Sequence, residues 1–468
     1  MEFFIGLDLG TSASKGCLMS SDGALIAEAK RQTNYQKSDD GSVTFDGESY
    51  YSDVVGIIRE LSGSVPPKGT VRGICMSSAS GNTMLIDAFG KPSVTAISWL
   101  DTRMTDECER LFGKIDPEEM REQCGWPYLG IFPIAHLSWF RCHHPEWIAN
   151  ASKICMSADY INFRLTGRWA VDPSTLVSFY LGDQKKGDWN DAMLATFGIR
   201  RDQLPQILPT GTILGALTEQ AAAETGLPKE CKVILGAFDH PTSARGVGIT
   251  EEGQLLISCG TSWVCFFPLM SRKKIIDLQL LCDPFLSSEG GPWAGMFSLA
   301  AVTQKINRYL DRWISRDADA IAEFDRLART APPGANGLRI DPALDMDRDL
   351  SSYAKADIAR ALMEGTAAQL VQSVRKTELS TGVRIRSAIL VGGPSRSDPW
   401  PQIITDMLNI PVNTLYGVSA GAVGAATIAA VGSSCFGSLE EAYRARKPEI
   451  IARKPDPSVS AFYETMIR

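Results

Sequence analysis

Residues 3–18 read FFIGLDLGTSASKGCL, an apolar run that contains Asp8, a turn of small residues, and a second extended run. The turn signal Asp22-Gly23 and a third apolar run follow, so the sequence predicts a three-stranded meander. Gly10-Thr11-Ser12 is small enough for backbone N–H groups and hydroxyls to approach a polyphosphate. Because Asp8 would repel such an anion, the pattern implies an intervening Mg²⁺. An ordinary hairpin in which Asp8 caps a turn is the alternative.

The same plan returns about half a chain later. Residues 253–267, GQLLISCGTSWVCFF, again place Gly260-Thr261-Ser262 between two apolar runs. Ser258 takes the place of Asp8, so the metal-side acid belongs to the first copy. Paired halves with facing phosphate hairpins are the arrangement of the actin-like ATPase (ribonuclease H-like) fold. The sequence therefore predicts an α/β protein of two such domains with a central interdomain cleft. No Walker A sequence occurs, which excludes a P-loop site.

Three further segments join the first hairpin in a resemblance to a known family: ISWLDTR at 97–103, LGAFDHPTSARGVG at 235–248 and LVGGPSRSDPWPQIITDMLNIPV at 390–412. In order and spacing, over essentially the full length, these motifs resemble the FGGY family of carbohydrate kinases. The resemblance implies ATP-dependent phosphorylation of a free sugar or polyol. It also implies a domain over 1–246 with the sugar site and first phosphate hairpin, and one over 247–468 with the second hairpin and the adenosine site.

Asp239 is the candidate catalytic residue. It stands just past the strand KVILGAF and just before the helix-compatible SARGVG. A carboxylate at a strand end can accept the proton of a sugar hydroxyl as that hydroxyl attacks the γ-phosphorus. In the family the aspartate of this motif is the general base, so the resemblance implies that role for Asp239. An N-cap of the following helix is the alternative.

The sugar pocket is where the chain departs from the family. His240 stands where members commonly carry an amide side chain, and Ser80-Gly81 stands where familiar members carry a Met-His or an Arg-Glu pair. We therefore expect a wall that has lost bulk, a ketose or alditol substrate of four to six carbons, and poor use of glycerol. Trp99 matches a tryptophan that lines the sugar site in the family, and a plain core position is its alternative. Asp101 and Arg103 are interpreted as a structural ion pair behind the pocket.

The adenosine end is predicted on the second half. Gly392-Gly393 ends the strand AILV and precedes the helix WPQIITDML, so the chain can pass a purine or ribose without side-chain obstruction. Gly421 and Gly424, in a helix of small residues, are interpreted as close helix packing. The predicted nucleotide-binding residues are Gly10, Thr11, Ser12, Lys15, Gly260, Thr261, Gly392, Gly393 and Ser397.

Composition limits the function classes. The 468 residues suit two domains, and 47 basic against 54 acidic residues give a net charge of −7, which argues against a nucleic-acid partner. Eleven cysteines without a CxxC pair indicate free thiols in a reducing compartment, and four histidines make no metal cluster. Without a charged leader or an apolar stretch long enough to span a bilayer, the sequence predicts a cytoplasmic enzyme with ATP and Mg²⁺ as cofactors. A homodimer is the expected assembly.

Two other function classes remain open from the sequence. One is a catalytically silent sugar or nucleotide sensor on the same fold, which would need a missing catalytic group. The other is an actin- or chaperone-like ATPase that acts on proteins. The periodicity also predicts helices over 101–113, 131–142 and 355–381, a strand over 387–391, and an ordered surface loop over 332–351.

Overall fold

The computed structural model describes residues 1–104, 106, 109–110, 115–317, 319–415, 419–446 and 448–467. Part of the helix predicted over 101–113 lies outside these residues. The chain divides into two compact units. Unit 1 comprises Met1–Gly248, Gln279–Trp293 and Val418–Lys447, and unit 2 comprises Ile249–Leu278, Ala294–Gly417 and Pro448–Arg468.

The strands are β1 Glu2–Leu9, β2 Ala13–Ser20, β3 Leu25–Gln32, β4 Gln36–Lys37, β5 Val43–Phe45, β6 Thr70–Ser78, β7 Met84–Ile86, β8 Ala96–Ile97, β9 Lys153–Cys155, β10 Ala170–Val171, β11 Gly182–Asp183, β12 Asp188–Trp189, β13 Gln206–Ile207, β14 Ile213–Ala216, β15 Lys232–Ile234, β16 Gln254–Cys259, β17 Trp263–Leu269, β18 Leu281–Asp283, β19 Trp293–Leu299, β20 Ser387–Gly392, β21 Val412–Leu415 and β22 Ile450–Arg453.

The α-helices are α1 Gly47–Gly63, α2 Pro117–Cys124, α3 Pro133–His143, α4 Pro145–Asn150, α5 Ser157–Thr166, α6 Pro173–Val177, α7 Asp191–Phe197, α8 Glu219–Thr225, α9 Asp239–Val247, α10 Arg272–Asp277, α11 Val302–Tyr309, α12 Ala320–Thr330, α13 Lys355–Thr381, α14 Pro399–Leu408, α15 Ala420–Gly432, α16 Leu439–Arg446 and α17 Pro457–Ile467. Short 3-10 turns cover Arg201–Gln203, Ser287–Glu289, Ala335–Gly337 and Gly393–Arg396, and one π-helical turn covers Leu310–Ile314.

Unit 1 is built on a sheet whose strands are neighbours in the order β14-β15-β6-β1-β2-β3. Strand β1 pairs antiparallel with β2, which places Asp8 opposite Lys15, and parallel with β6, which places Asp8 beside Ser77. Phe3 packs into a core with α1, whereas Phe4 packs into a core with α15. A strand that is covered on both faces needs a nearly continuous apolar run, which explains the pattern of the first hairpin.

Helix α15 lies close to the backbone of its neighbours because its contact residues are small. A Cβ added to Gly6 of β1 would lie 1.9 Å from the carbonyl oxygen of Ala422. A Cβ added to Gly424 would lie 1.9 Å from the carbonyl oxygen of Thr242 in α9. Since real Cβ atoms do not approach backbone atoms so closely, the packing interpretation of Gly424 is confirmed.

We expect Gly424→Ala to destabilise the protein by at least roughly the 1–3 kcal/mol that overpacking of a core typically costs. The added methyl group would meet backbone atoms, which cannot move aside as the end of a side chain can. The urea midpoint of unfolding measures the effect. Gly63→Ala, at the exposed end of α1 with nothing within 4 Å of the added Cβ, is the control and should not lower the midpoint. Equal midpoints for the two variants would contradict the close approach of α15.

Unit 2 repeats the plan of unit 1. Strands β19, β17, β16, β20, β21 and β22 are neighbours in that order. Strands β16 and β17 form the second antiparallel hairpin, with Ser258 opposite Val264, and β20 runs parallel to β16, with Gly392 beside Cys259. Each unit therefore places a hairpin next to a parallel strand, as the two copies of the sequence pattern predict.

The units are not continuous in sequence, which differs from the predicted single domain over 247–468. Helix α15 and the residues around it pack on β1 and α9 of unit 1 through their small side chains. The segment 279–293 is bonded to unit 1 as well, because Cys282 N donates to the carbonyl oxygen of Gly125 and Gln184 Nε2 donates to that of Cys282. The assignment of a sugar domain and an adenosine domain stays a prediction, as does the cleft.

Candidate active site

Asp8 lies one residue before the end of β1, and its carboxylate is fixed by the start of α15. The hydroxyl of Ser419, the N-cap residue of that helix, donates a hydrogen bond to Oδ2 of Asp8. Gly421 leaves room for the carboxylate, since an added Cβ would lie 2.7 Å from its Cγ. A segment far along the chain therefore orients the predicted metal-side acid. Lys15, directly across the hairpin, is exposed.

The first predicted phosphate turn, Gly10-Thr11-Ser12, is held by Thr33 at the end of the meander. The amide of Thr33 donates to the carbonyl oxygen of Ser12 at 3.1 Å, and its hydroxyl donates to that of Gly10 at 3.2 Å. Trp99 Nε1 donates to the hydroxyl of Thr11 at 3.0 Å. The turn is therefore fixed through its carbonyl groups and joined to the predicted sugar-site tryptophan.

The second turn, Gly260-Thr261-Ser262, is held in the same way by Thr303 of α11. Its amide donates to the carbonyl oxygen of Thr261 at 3.1 Å, and its hydroxyl donates to that of Gly260 at 2.9 Å. The amide of Ala301, the N-cap residue in a left-handed conformation at φ 55°, donates to the hydroxyl of Ser262. One threonine therefore donates two hydrogen bonds to the carbonyl groups of each turn. The sequence did not predict this role for Thr33 or Thr303.

Asp239 is the first residue of α9, and Phe238 occupies the cap position before it. The helix-cap alternative for Asp239 is therefore wrong. Phe238 bridges to Ser78 at the end of β6, and the chain fits there because Gly236 approaches the carbonyl oxygen of Met76, where a Cβ would lie 1.8 Å away. Asp239 therefore lies next to the end of β6, the strand that pairs with β1 and its Asp8.

One oxygen of the Asp239 carboxylate is available as a hydrogen-bond acceptor. Its Oδ1 is buried and has no hydrogen-bond partner among the residues that the structure describes, while its side chain as a whole is 26% exposed. Nε2 of His240 lies 3.8 Å from Oδ1. Burial raises the pKa of Asp239, His240 opposes that rise, and the negative charge of Asp8 adds to it. A carboxylate whose pKa is raised by burial and by a second negative charge is typical of catalytic sites.

The wall predicted at Ser80-Gly81 has not lost bulk. Gly81 adopts φ 103°, and a Cβ added to it would lie 2.5 Å from the ring of Phe132 and 3.1 Å from Cβ of Trp99. The ring of Phe132 therefore fills the space that a side chain at position 81 would take, which corrects the expectation. The hydroxyl of Ser80 is buried without a partner in the described part of the chain. Trp99 is partly exposed, so it is not a plain core residue.

Sequence reasoning missed the aromatic side chains beside Asp239. Trp126 lies 5.3 Å from Phe132 and 5.9 Å from Phe238 between ring centroids, and Phe238 lies 5.3 Å from the ring of His240. We call Trp126, Phe132 and Phe238 the aromatic wall. The aromatic-rich stretch GWPYLGIF at 125–132 was the available sign, but its distance in sequence from Asp239 hid the contact.

The predicted ion pair behind Trp99 is present. Asp101 is buried and binds the guanidinium of Arg103 at 2.8 Å, and it accepts the amide hydrogen of Val43. His136 is buried nearby, with Nδ1 2.8 Å from the hydroxyl of Thr83, and burial lowers its pKa to about 4. His136 is therefore neutral near pH 7 and belongs to the support of the site.

The glycine pair of unit 2 lies at the same sheet end as the second turn. Gly392 adopts φ 97°, and a Cβ there would lie 2.3 Å from the carbonyl oxygen of Cys259, whereas a Cβ on Gly393 would meet nothing within 4 Å. An open backbone surface results, as the nucleotide prediction requires. Ser397 differs, because its hydroxyl donates to Asp325 at 2.7 Å and accepts the amide hydrogen of Trp400. That hydroxyl fastens the start of α14.

Comparison with known proteins decides the family. The model of the N-terminal domain of the FGGY family of carbohydrate kinases matches residues 3–246, and that of the C-terminal domain matches residues 327–433. The chain belongs to the FGGY family of carbohydrate kinases. The predicted membership and the α/β fold of two actin-like domains are thereby confirmed.

Similar proteins extend the match to nearly the whole FGGY chain. It is 28% identical over 459 residues to the xylulose kinase of Bacillus subtilis, covering 94% of this chain and 90% of that one. It is 26% identical over 500 residues to the autoinducer-2 kinase of Salmonella typhimurium, covering 99% and 92%. The crystal structure of xylulose kinase from Rhodospirillum rubrum superposes with a TM-score of 0.89 at 27% identity, covering 99% and 96%. The predicted enzyme class, a carbohydrate kinase, is confirmed.

Proposed function

We propose that this FGGY kinase transfers the γ-phosphoryl group of ATP to one hydroxyl of a free ketose or alditol of four to six carbons. The observation that carries the proposal is the carboxylate of Asp239, with its unpartnered Oδ1 beside His240 and within electrostatic reach of Asp8. No described feature favours a silent sensor, since both turns, Asp8 and Asp239 are present. An ATPase that acts on proteins is not a carbohydrate kinase and is set aside.

In this proposal Asp239 is the general base. Its Oδ1 accepts the proton of the attacking hydroxyl as the bond from the sugar oxygen to phosphorus forms and the bond to the ADP oxygen breaks. The raised pKa brings the basicity of the carboxylate closer to that of the group it must deprotonate. We propose that His240 and the hydroxyl of Ser80 bond neighbouring hydroxyls of the sugar and that Trp99 contacts its C–H groups.

Asp8 is the proposed contact for Mg²⁺. The described residues contain no group of three or more histidine, cysteine or acidic side chains that could cage a metal ion. A single carboxylate such as that of Asp8 suits Mg²⁺, which proteins usually hold by one or two carboxylates together with waters and substrate phosphates. When bound, Mg²⁺ would neutralise charge on the phosphates. Ser419 and Gly421 orient the carboxylate that would hold it.

The two turns and the glycine pair are the proposed nucleotide contacts. Gly10, Thr11 and Ser12 of unit 1, and Gly260 and Thr261 of unit 2, would offer backbone N–H groups and hydroxyls to phosphate oxygens. Gly392 and Gly393 would pass the adenosine, and Lys15 would add a cation near the first turn. Ser397 would support the glycine pair indirectly, since its hydroxyl is engaged with Asp325.

The threonine clamp of the second turn gives a direct prediction. We expect Thr303→Val to raise the KM for ATP about 5-fold, which corresponds to the loss of one hydrogen bond of about 1 kcal/mol to the carbonyl oxygen of Gly260. Initial rates, with ATP and the sugar varied in turn, measure the KM for each substrate. Thr303→Ser keeps the hydroxyl and should restore the KM. If the KM values for ATP and sugar rose together, or if serine failed to rescue, the clamp would not act on the nucleotide.

A screen of ADP release tests the function. The panel contains ketopentoses, ketohexoses, 6-deoxyketohexoses, tetritols, pentitols and glycerol, with the sugar phosphate confirmed by mass spectrometry. We expect sugar-dependent ADP release with at least one substrate of four to six carbons and a lower kcat/KM for glycerol. Release that does not depend on added sugar, or that is greatest with glycerol, would contradict the proposal.

Two further predictions from the sequence concern the cellular location and the oligomeric state of the enzyme. None of the helices formed by the described residues combines the length and hydropathy that crossing a bilayer requires. A cytoplasmic location and a homodimer stay predictions.

A further inference from the structure

A buried arginine ties down the helix that carries Asp239. Arg245 stands in the second half of α9 and is 2% exposed. Its Nη1 donates to the carbonyl oxygen of Pro241, in the first turn of the same helix, at 3.2 Å. Its Nη2 donates to the carbonyl oxygen of Phe285 at 2.7 Å, and the guanidinium lies 4.6 Å from the centroid of that ring. One side chain therefore joins the first turn of α9 to the segment 279–293.

The segment 279–293 is itself fixed at Asp283, the last residue of β18. Oδ1 of Asp283 accepts hydrogen bonds from the hydroxyl of Ser174 and from the amide of Phe285, each at 2.8 Å. The amide of Ser174 in turn donates to Asp172, the N-cap residue of α6. A continuous set of hydrogen bonds thus runs from the start of α6 through Asp283 to α9.

The charges of this cluster act on one another because all of them are buried. Arg245, Asp283 and Asp172 are at most 3% exposed. Burial raises the pKa of Asp283, while the hydrogen bond from Ser174 and the charge of Arg245 oppose that rise. Burial also raises the pKa of Asp172, to about 6. The cluster reaches the candidate active site, since the charge of His240 acts on Asp283 as well.

Stability alone does not explain the cluster. Buried charged groups can often be replaced by apolar side chains without loss of stability. Oδ2 of Asp283 is buried and has no partner among the residues that the structure describes, and a buried acceptor without a partner is unfavourable. Phe285 adopts φ 39°, a left-handed conformation that residues other than glycine rarely adopt. Unfavourable features of this kind collect at functional sites.

We propose that Arg245 and Asp283 are positioning residues, which hold the first turn of α9 so that Asp239 meets the attacking hydroxyl. This inference rests on the proposed function, in which Asp239 is the general base. Arg245 fixes the turn through the carbonyl group of Pro241. Asp283 anchors the segment to which Arg245 bonds and balances its charge. The competing account is a cluster that contributes only to folding, and the two accounts differ in whether the effect of Arg245 depends on Asp239.

A double-mutant cycle on the full-length enzyme tests the proposal. Arg245→Met removes the charge and both hydrogen bonds and keeps a long side chain. We expect kcat to fall about 10–100-fold, as it does when reacting groups lose alignment, with the KM for ATP within about 2-fold of wild type. In the Asp239→Asn background the same change should lower kcat less than about 3-fold, because a base that is absent cannot be misplaced. Equal fold losses in both backgrounds, or no loss in either, would overturn the inference.

The control for this cycle is a second arginine of unit 1 that packs on an aromatic ring. Arg164 of α5 lies 4.0 Å from the ring centroid of Tyr51 and binds Glu48 at 2.7 Å. Arg164→Met should lower the urea midpoint of unfolding and keep wild-type kcat. Arg245→Lys retains the charge without the planar fork, so it should recover part of the kcat that Arg245→Met loses.

Asp283→Asn keeps the proposal testable if Arg245→Met does not fold. The amide has the shape of the carboxylate and can still accept the hydrogen bond from Ser174, but it carries no charge. We expect kcat to fall at least about 5-fold at an unchanged KM for ATP. Asp183→Asn, at a buried carboxylate of the same unit that binds Lys186 at 3.2 Å, should keep wild-type kcat.

The failure of this inference can be told apart from the failure of the proposed function. A wild-type kcat in Asp283→Asn, in an enzyme that phosphorylates a sugar and loses activity in Asp239→Asn, would overturn the positioning role alone. If the wild-type enzyme phosphorylated no sugar, or if Asp239→Asn kept full activity, the proposed function would fail and the positioning role with it.

Discussion

Asp239→Asn should fold and bind ATP but lose about 10²–10⁴-fold in kcat, the range that general-base catalysis contributes. The amide keeps the shape of the carboxylate and cannot accept the proton of the attacking hydroxyl. Loss in kcat with little change in the KM for ATP is expected, because the carboxylate acts on the sugar in the transition state. Steady-state kinetics with the best substrate of the screen, together with a nucleotide-binding titration, measure both quantities.

A matched control separates catalysis from folding. Asp191 is, like Asp239, the first residue of a helix, but its side chain is 81% exposed and binds Arg201 at the surface. Asp191→Asn should keep wild-type kcat. Full activity in Asp239→Asn would remove Asp239 from the reaction, and equal losses in both variants would show an effect on the fold.

Asp8→Ala should have the second largest effect. We expect turnover at ordinary Mg²⁺ to fall about 10–100-fold or more, as it does when a metal site loses part of its support. Excess Mg²⁺ should restore only part of the rate, because positioning as well as charge is lost. The concentration of Mg²⁺ for half-maximal turnover and the rate at saturation measure the two contributions.

The second hairpin supplies the control for Asp8. Ser258 occupies the matching place in β16 and carries no charge. Ser258→Ala should leave the Mg²⁺ dependence unchanged. If both variants shifted the dependence equally, the asymmetry between the two hairpins would have been misread, and Asp8 would not be the metal contact.

Local sequence patterns predicted the elements of the site well. The helix expected over 355–381 is α13 with the same bounds. The strand expected over 387–391 is β20, which continues one residue further, to Gly392. Apolar runs and small residues specify the two hairpins, the glycine pair and the end of the strand that precedes Asp239. Each of these features lies within a few positions of the residues that specify it. Such features depend on backbone geometry next to the residues that specify them.

Long-range packing explains what the sequence did not predict. The small residues of α15 indicated close packing but not that the partners were Gly6 and Thr242 of unit 1. The absence of a side chain at Gly81 suggested an open wall, although the ring of Phe132 fills that space from a distant segment. Periodicity describes which face of an element is apolar and does not identify the element that covers it.

The pH dependence of kcat/KM for the sugar tests directly whether Asp239 is the general base. Burial raises the pKa of Asp239, so its basic form is lost as the pH falls through a value above the roughly 3.9 of an ordinary aspartate. We expect kcat/KM to be constant at neutral pH and to decline on the acid side around that raised pKa. We also expect the decline to disappear in Asp239→Asn. An acid limb that persists in Asp239→Asn would contradict the role of Asp239 as the general base.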